Sequence, residues 1–200
     1  MLLHNLNDYA HQTLDKPEAA LFDRLYKAKG AEHREYSQVF GPEKILPEIG
    51  SFLEYFMVRK VCAGRELLRT SGTVTKKLAA WMARKGYTTA EEAEVAEEHA
   101  AEAARELPAA RDLLERLQDF VEQQGPLGEV CEELEGYLRI TRIEGNALWL
   151  EDSLGARKAG PIALRRELCR QCQPGWTISG VVGRVGSRWR LIEAWNVYLG

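Results

Sequence analysis

The chain has 200 residues, 45% apolar and 28% charged, which is the balance of an ordinary globular protein with room for one large domain or two small ones. That composition excludes a disordered, collagen-like or mucin-like chain and a membrane bundle. The net charge of −3 is spread unevenly: residues 1–40 carry −1, 41–87 carry +5, 88–135 carry −12 and 136–200 carry +5, so an acidic block separates two basic ones.

The opening MLLHNLNDYA lacks the basic flank and apolar run of a signal peptide. The densest apolar stretch, 52–61, is broken by Glu54, Arg59 and Lys60 and is too short for a bilayer. Four cysteines without an export signal do not make a disulfide scaffold. The expectation is a cytoplasmic protein with reduced thiols and no membrane partner.

The first two thirds read as helix. Pro17 and Glu18 suit a first turn, Leu21, Phe22, Leu25 and Tyr26 follow at helical spacing, and Gly30 suits a stop. Gly41-Pro42 marks a turn. Ile49, Phe52, Leu53 and Phe56 then form a buried helical stripe. A further helix is expected from about Ser71-Gly72-Thr73, with Val74, Leu78 and Trp81 on its apolar face and Lys76, Lys77, Arg84 and Lys85 elsewhere. Thr88 and Thr89 precede Glu91 and Glu92 at three-residue spacing, the pattern of a capping box, and open an Ala/Glu-rich helix. Pro108 ends or restarts it, and Leu113, Leu114, Leu117, Phe120 and Val121 form the next apolar stripe.

Gly125-Pro126-Leu127-Gly128 reads as a hinge, placed over 125–136. Beyond it the hydrophobic period becomes alternating. Strands are expected at 137–143, 147–151, 177–185 and 188–199, in two hairpins turning at Glu144-Gly145-Asn146 and Gly186-Ser187, with a short helix over 164–172. The fold class that follows is α+β. A helical domain at 1–124 (basic helices 41–87, acidic helices 88–124) precedes a small β-barrel at 137–200, SH3-like or OB-like.

No complete catalytic or cofactor motif is present, and neither cofactor nor metal is expected. Cys169-Arg-Gln-Cys172 has metal-like spacing, but a second pair that would close a zinc site is missing. A redox dithiol needs the strand-then-helix setting that is absent here; two cysteines on a short helix are the simpler reading. Gly180, Gly183 and Gly186 fall between strands, as bends of a curved sheet would, and do not form a dinucleotide fingerprint. His4 and His11 could share a helix face, but nothing nearby completes a site. Carboxylates of 88–135 sit on what reads as a solvated helix with ordinary acidity. Trp149, Trp176, Trp189 and Trp195 lie in the barrel segment with Arg139, Arg142, Arg184, Arg188 and Arg190. A small barrel needs large core residues, and it also binds single strands on a face that mixes aromatics with cations.

Residues 49–86, IGSFLEYFMVRKVCAGRELLRTSGTVTKKLAAWMARKG, resemble the SAM-like core-binding domain of tyrosine recombinases. Phe52-Leu53 with Phe56 match its opening helix, Ser71 to Val74 a helix start, and Leu78-Ala79-Ala80-Trp81 the later helix. The recombinase catalytic domain has no counterpart, so strand exchange is excluded. The resemblance implies a helical module that grips duplex backbone, with Lys76 and Lys77 as phosphate contacts and Arg59, Lys60, Arg65 and Arg69 just before them.

Two readings follow. In the first, the chain is a non-catalytic nucleic-acid-binding protein, with DNA the expected ligand. Its contacts would be Arg59, Lys60, Arg65, Arg69, Lys76, Lys77, Arg84 and Lys85 on the helical module and Arg139, Arg142, Arg188 and Arg190 on the barrel, with helices 88–124 a route to a homo-oligomer. In the second, it is an interaction or scaffold protein whose acidic helices neutralise the basic modules.

Overall fold

The structure is a computed structural model, and it describes residues 1–9 and 13–200; the expectation for His11 lies outside the described residues. The fold is α+β, helical through the first 120 or so residues and then a five-stranded sheet. The chain divides into two compact units, Met1–Arg105 and Glu106–Gly200. No helix among the described residues is long and apolar enough to cross a membrane.

In the helical unit, α1 spans Leu2–Tyr9 and α2 spans Lys16–Lys27. Asp15 caps α2: its Oδ1 accepts from the Glu18 backbone N–H at 2.8 Å, and Glu18 Oε2 accepts from the Asp15 N–H. A short α3, Tyr36–Val39, brings Tyr36 onto Phe22, and these two with Leu6 and Leu14 form a small core. The stripe at 49–56 is buried as its spacing predicts, but over Ser51–Lys60 the backbone is a π-helix, closing with a bond from the Val61 N–H to the Phe56 carbonyl.

Helix α4 spans Arg65–Arg84, so it begins before the serine-glycine step that reads as its start. Its buried face is also not the expected one. Leu68, Gly72, Thr75, Ala79 and Met82 are buried, while Val74 is 58% and Trp81 41% exposed. Gly72 explains both differences. A Cβ there would stand 2.8 Å from the Ala100 carbonyl oxygen and from the Ala104 backbone nitrogen, so the glycine is a helix-interior residue that lets a neighbouring helix approach closely. That neighbour is α5, Ala90–Glu122, which buries Ala93, Ala96, Ala100 and Ala103. The predicted capping box opens it: Thr89 Oγ1 accepts from the Glu92 N–H, and Glu92 accepts from the Thr89 N–H. Pro108 does not end α5, which runs on through it.

The second unit begins within α5. Ala110, Leu113, Leu114 and Leu117 join the barrel residues in one core, as the leucine stripe predicts. Strand β1 spans Val130–Glu144, β2 Ala147–Asp152, β3 Lys158–Ala163, β4 Thr177–Val185 and β5 Arg188–Tyr198, with the short α6, Arg166–Cys169, between β3 and β4. Residues 130–136, read as hinge, are therefore strand. Alternation is weak there because Cys131, Glu132 and Glu133 are all exposed and only Leu134 faces the core. The sheet closes in the order β1-β2-β3-β5-β4: β1 pairs with β2 over one half and with β4 over the other, and β3 meets β5 in parallel through Ile162 and Trp189.

Candidate nucleic-acid interface

On the barrel, the β1–β2 and β4–β5 turns flank an outer cleft of about 590 Å³. Its floor is apolar: Ala147 at the start of β2, Pro161 and Ala163 on β3, and Phe120 from α5. Its wall is the β4–β5 hairpin, with Arg188, Trp189 and Arg190. Side chains two apart on a strand share a face, which puts Trp149 on the same side of β2 as Ala147. The indole of Trp149 lies against β3 at Gly160, where any Cβ would come within 2.6 Å of its Cδ1, so only glycine fits beneath it. The Arg142 guanidinium stacks over the Trp149 ring at 3.7 Å from its centroid.

The barrel cations divide by partner. Arg139 pairs with the buried carboxylate of Glu151, Arg184 with Glu132 at 2.9 Å, and Arg142 reaches Glu144 at 3.3 Å. The cations at the cleft are held differently. Arg190 Nε donates to Gln124 Oε1 at 2.9 Å, and Gln124 Nε2 donates to the Leu191 carbonyl. Arg165 donates to Gln123 and lies over the Phe120 ring. A neutral carboxamide fixes a guanidinium without cancelling its charge. Arg188 is exposed and makes no ion pair among the described residues. Arg188 and Arg190 with Trp189 therefore make up the cationic and aromatic wall of the cleft, Arg142 is shared between Glu144 and the Trp149 ring, and Arg139 is taken up by Glu151. The role of Gln124, and of Arg165 and Phe120 beside it, has no motif in the sequence.

The helical unit disposes its cations otherwise. Arg59 and Lys60 end the π-helix beside two tyrosines, Arg59 at 5.7 Å from the Tyr55 ring and Lys60 at 5.5 Å from the Tyr9 ring. A hydrogen bond with Tyr9 holds the Lys60 ammonium above its ordinary pKa. Arg65, Arg69, Lys76, Lys77 and Arg84 are all exposed on α4, and Lys85 is exposed at its C-cap. Lys76 and Arg84 line a cleft of about 840 Å³ with Glu94, Glu97, Glu98 and Glu102 of α5. None of these glutamates comes within ion-pair distance of the two cations, yet a cleft shared with four carboxylates is a poor place for phosphate.

Compared with protein-family models, curated proteins and solved structures, the chain matches none.

The remaining motifs resolve locally. Cys169 and Cys172 are both buried on or just after α6, and burial raises both thiols, Cys172 to about 12. Burial disfavours the thiolate that a redox nucleophile needs, and among the described residues no further His, Cys, Asp or Glu joins the pair in a group that could hold a metal ion. His4 pairs with Asp8 at 3.0 Å, and His33 Nδ1 lies 2.8 Å from the Tyr26 carbonyl oxygen. His99 bonds Glu54 at 2.5 Å, tying α5 to the π-helix, and that bond raises its pKa.

Proposed function

We propose that the chain is a non-catalytic nucleic-acid-binding protein, that its barrel is of the OB type, and that single strands bind in the cleft between the β1–β2 and β4–β5 turns. The strand order 1-2-3-5-4, the parallel contact of β3 with β5 and the helix between β3 and β4 support the OB reading. Barrels of that kind present strands β2 and β3 and these two turns to oligonucleotides. The observation that carries the reading is the meeting of Trp189, Arg188 and Gln124-held Arg190 around one apolar cleft, with the Arg142-covered Trp149 on the same side of β2 as Ala147 of its floor. Bases stack on indole or guanidinium planes, and phosphates pair with the two arginines.

The test is fluorescence anisotropy of the whole chain with single-stranded and duplex oligonucleotides at two salt concentrations. Single strands are expected to bind at low salt, and R188E with R190E to abolish binding. No binding at low salt overturns the proposal. The recombinase-like reading of residues 49–86 adds Lys76 and Lys77 as duplex contacts, which the barrel does not need. Reversing both to Glu separates the two: loss of binding in that variant, with the barrel variant unaffected, moves the site to α4.

A further inference from the structure

Helix α4 carries a second apolar row that its own unit does not cover. Leu67, Val74 and Trp81 recur every seven residues and are 37%, 58% and 41% exposed. Leu78 is half-buried between the last two, and the exposed Tyr87 ring packs on Trp81 at 5.5 Å, extending the row past the helix end. At about 100° per residue, positions 67, 71, 74, 78 and 81 form one stripe, apolar except at Ser71, whose hydroxyl donates back to the Leu68 carbonyl, and it lies roughly a quarter turn from the seam that α5 fills. Their alternating four-three spacing is that of a helix meeting a second helix. Scattered exposed apolar residues are ordinary, but a contiguous row bordered by charge marks a contact surface. Lys77 borders this row and Lys85 continues it, both exposed, and Arg84 stands between the row and the glutamate cleft of α5; none of the three makes an ion pair among the described residues.

We propose that this row docks an acidic amphipathic helix of a partner protein. Charge decides the occupant. A second copy of α4 would set Lys77, Arg84 and Lys85 against their own kind if parallel and would offer them Glu66 alone if antiparallel, three cations to one carboxylate. Nucleic acid would use the cations and the rings of Trp81 and Tyr87, but gains nothing from Leu67, Val74 and Leu78, which make up the rest of the row and offer neither a phosphate donor nor a flat face for a base. The acidic helix of this chain is already engaged elsewhere on α4, through Gly72 against Ala100 and Ala104. A helix with leucines at four-three spacing and flanking glutamates satisfies both the apolar row and its basic border. This inference stands apart from the barrel cleft and does not depend on it.

The test titrates the whole chain into a fluorescein-labelled synthetic helix of that design at low salt, alongside a scrambled peptide of equal composition and a version with lysine for glutamate. Saturable binding is expected for the Leu/Glu peptide, with about tenfold or greater weakening for both controls and for V74S/W81S. Helix content by circular dichroism and single-strand affinity stay at the unsubstituted level. V74E alone, at the most exposed position, gives the same loss if the double variant loses helix. The proposal is overturned by no saturable binding of the Leu/Glu peptide, or by binding that survives V74S/W81S and V74E. It is also overturned by a concentration-dependent dimer that V74E dissolves, or by duplex affinity lost in V74E.

Discussion

Trp149 shows how one side chain depends on its neighbours. Gly160 gives it room and Arg142 covers its ring, so the indole stays half-exposed on a strand whose alternate residues are buried. A base stacked on an aromatic ring gains about 1–3 kcal/mol, so under the proposed function replacing Trp149 with alanine should lower single-strand affinity roughly 5- to 150-fold in the same anisotropy titration. Unchanged affinity would remove Trp149 from the site. Gln124 acts more indirectly: its alanine variant keeps the charge of Arg190 but frees its orientation. His99 makes a different kind of prediction. Glu54 raises its pKa above the usual 6.5, with Glu102 adding to the effect. The folded state therefore favours the imidazolium, and that stability is fully present below the unfolded pKa and lost as pH rises through the folded one. Urea denaturation near pH 6 and near pH 8 should show a gap between the two that shrinks in E54Q. An equal gap in both proteins would contradict the assignment. Both groups are more than a third exposed, so the effect is small.

At the scale of elements, much of the fold is readable because its signals are local. The Thr89–Glu92 box, the leucine stripe of α5 and the two hairpins each sit within a few residues of one another. The face of α4 is not readable in that way. Counting large apolar residues selects Val74, Leu78 and Trp81, whereas the buried seam runs from Leu68 to Met82 through Gly72, Thr75 and Ala79, whose value lies in how little space they fill. Substituting Gly72 with alanine should cost about 1–3 kcal/mol, because the new Cβ meets the backbone of α5 rather than a movable side chain. Leu68→Ala should cost about 2–5 kcal/mol, and Val74→Ser should stay within about 0.5 kcal/mol. Thermal denaturation of the three variants checks the order; Val74→Ser as damaging as Leu68→Ala would restore the face that hydrophobicity suggests. The site shows the same division. Its tryptophans and arginines are visible one by one, but Arg190 and Gln124 stand 66 positions apart, and only folding sets one against the other.

For the molecule as a whole, the charge blocks in the sequence overstate how much positive surface is free. Arg139, Arg142 and Arg184 each meet a carboxylate within the barrel. If the two cleft arginines pair with the phosphates of a single strand, the logarithm of affinity should fall with the logarithm of salt at a slope of about −1.4, far shallower than a chain gripping phosphate with all twelve expected cations. A slope several times steeper would implicate α4 as well. The four thiols offer a separate readout of the intact molecule. Cys62 and Cys131 are open to solvent, while Cys169 and Cys172 are sealed in the barrel. An alkylating reagent should consume two equivalents at once and stall, and the slow uptake of the remaining two then times how often the barrel opens.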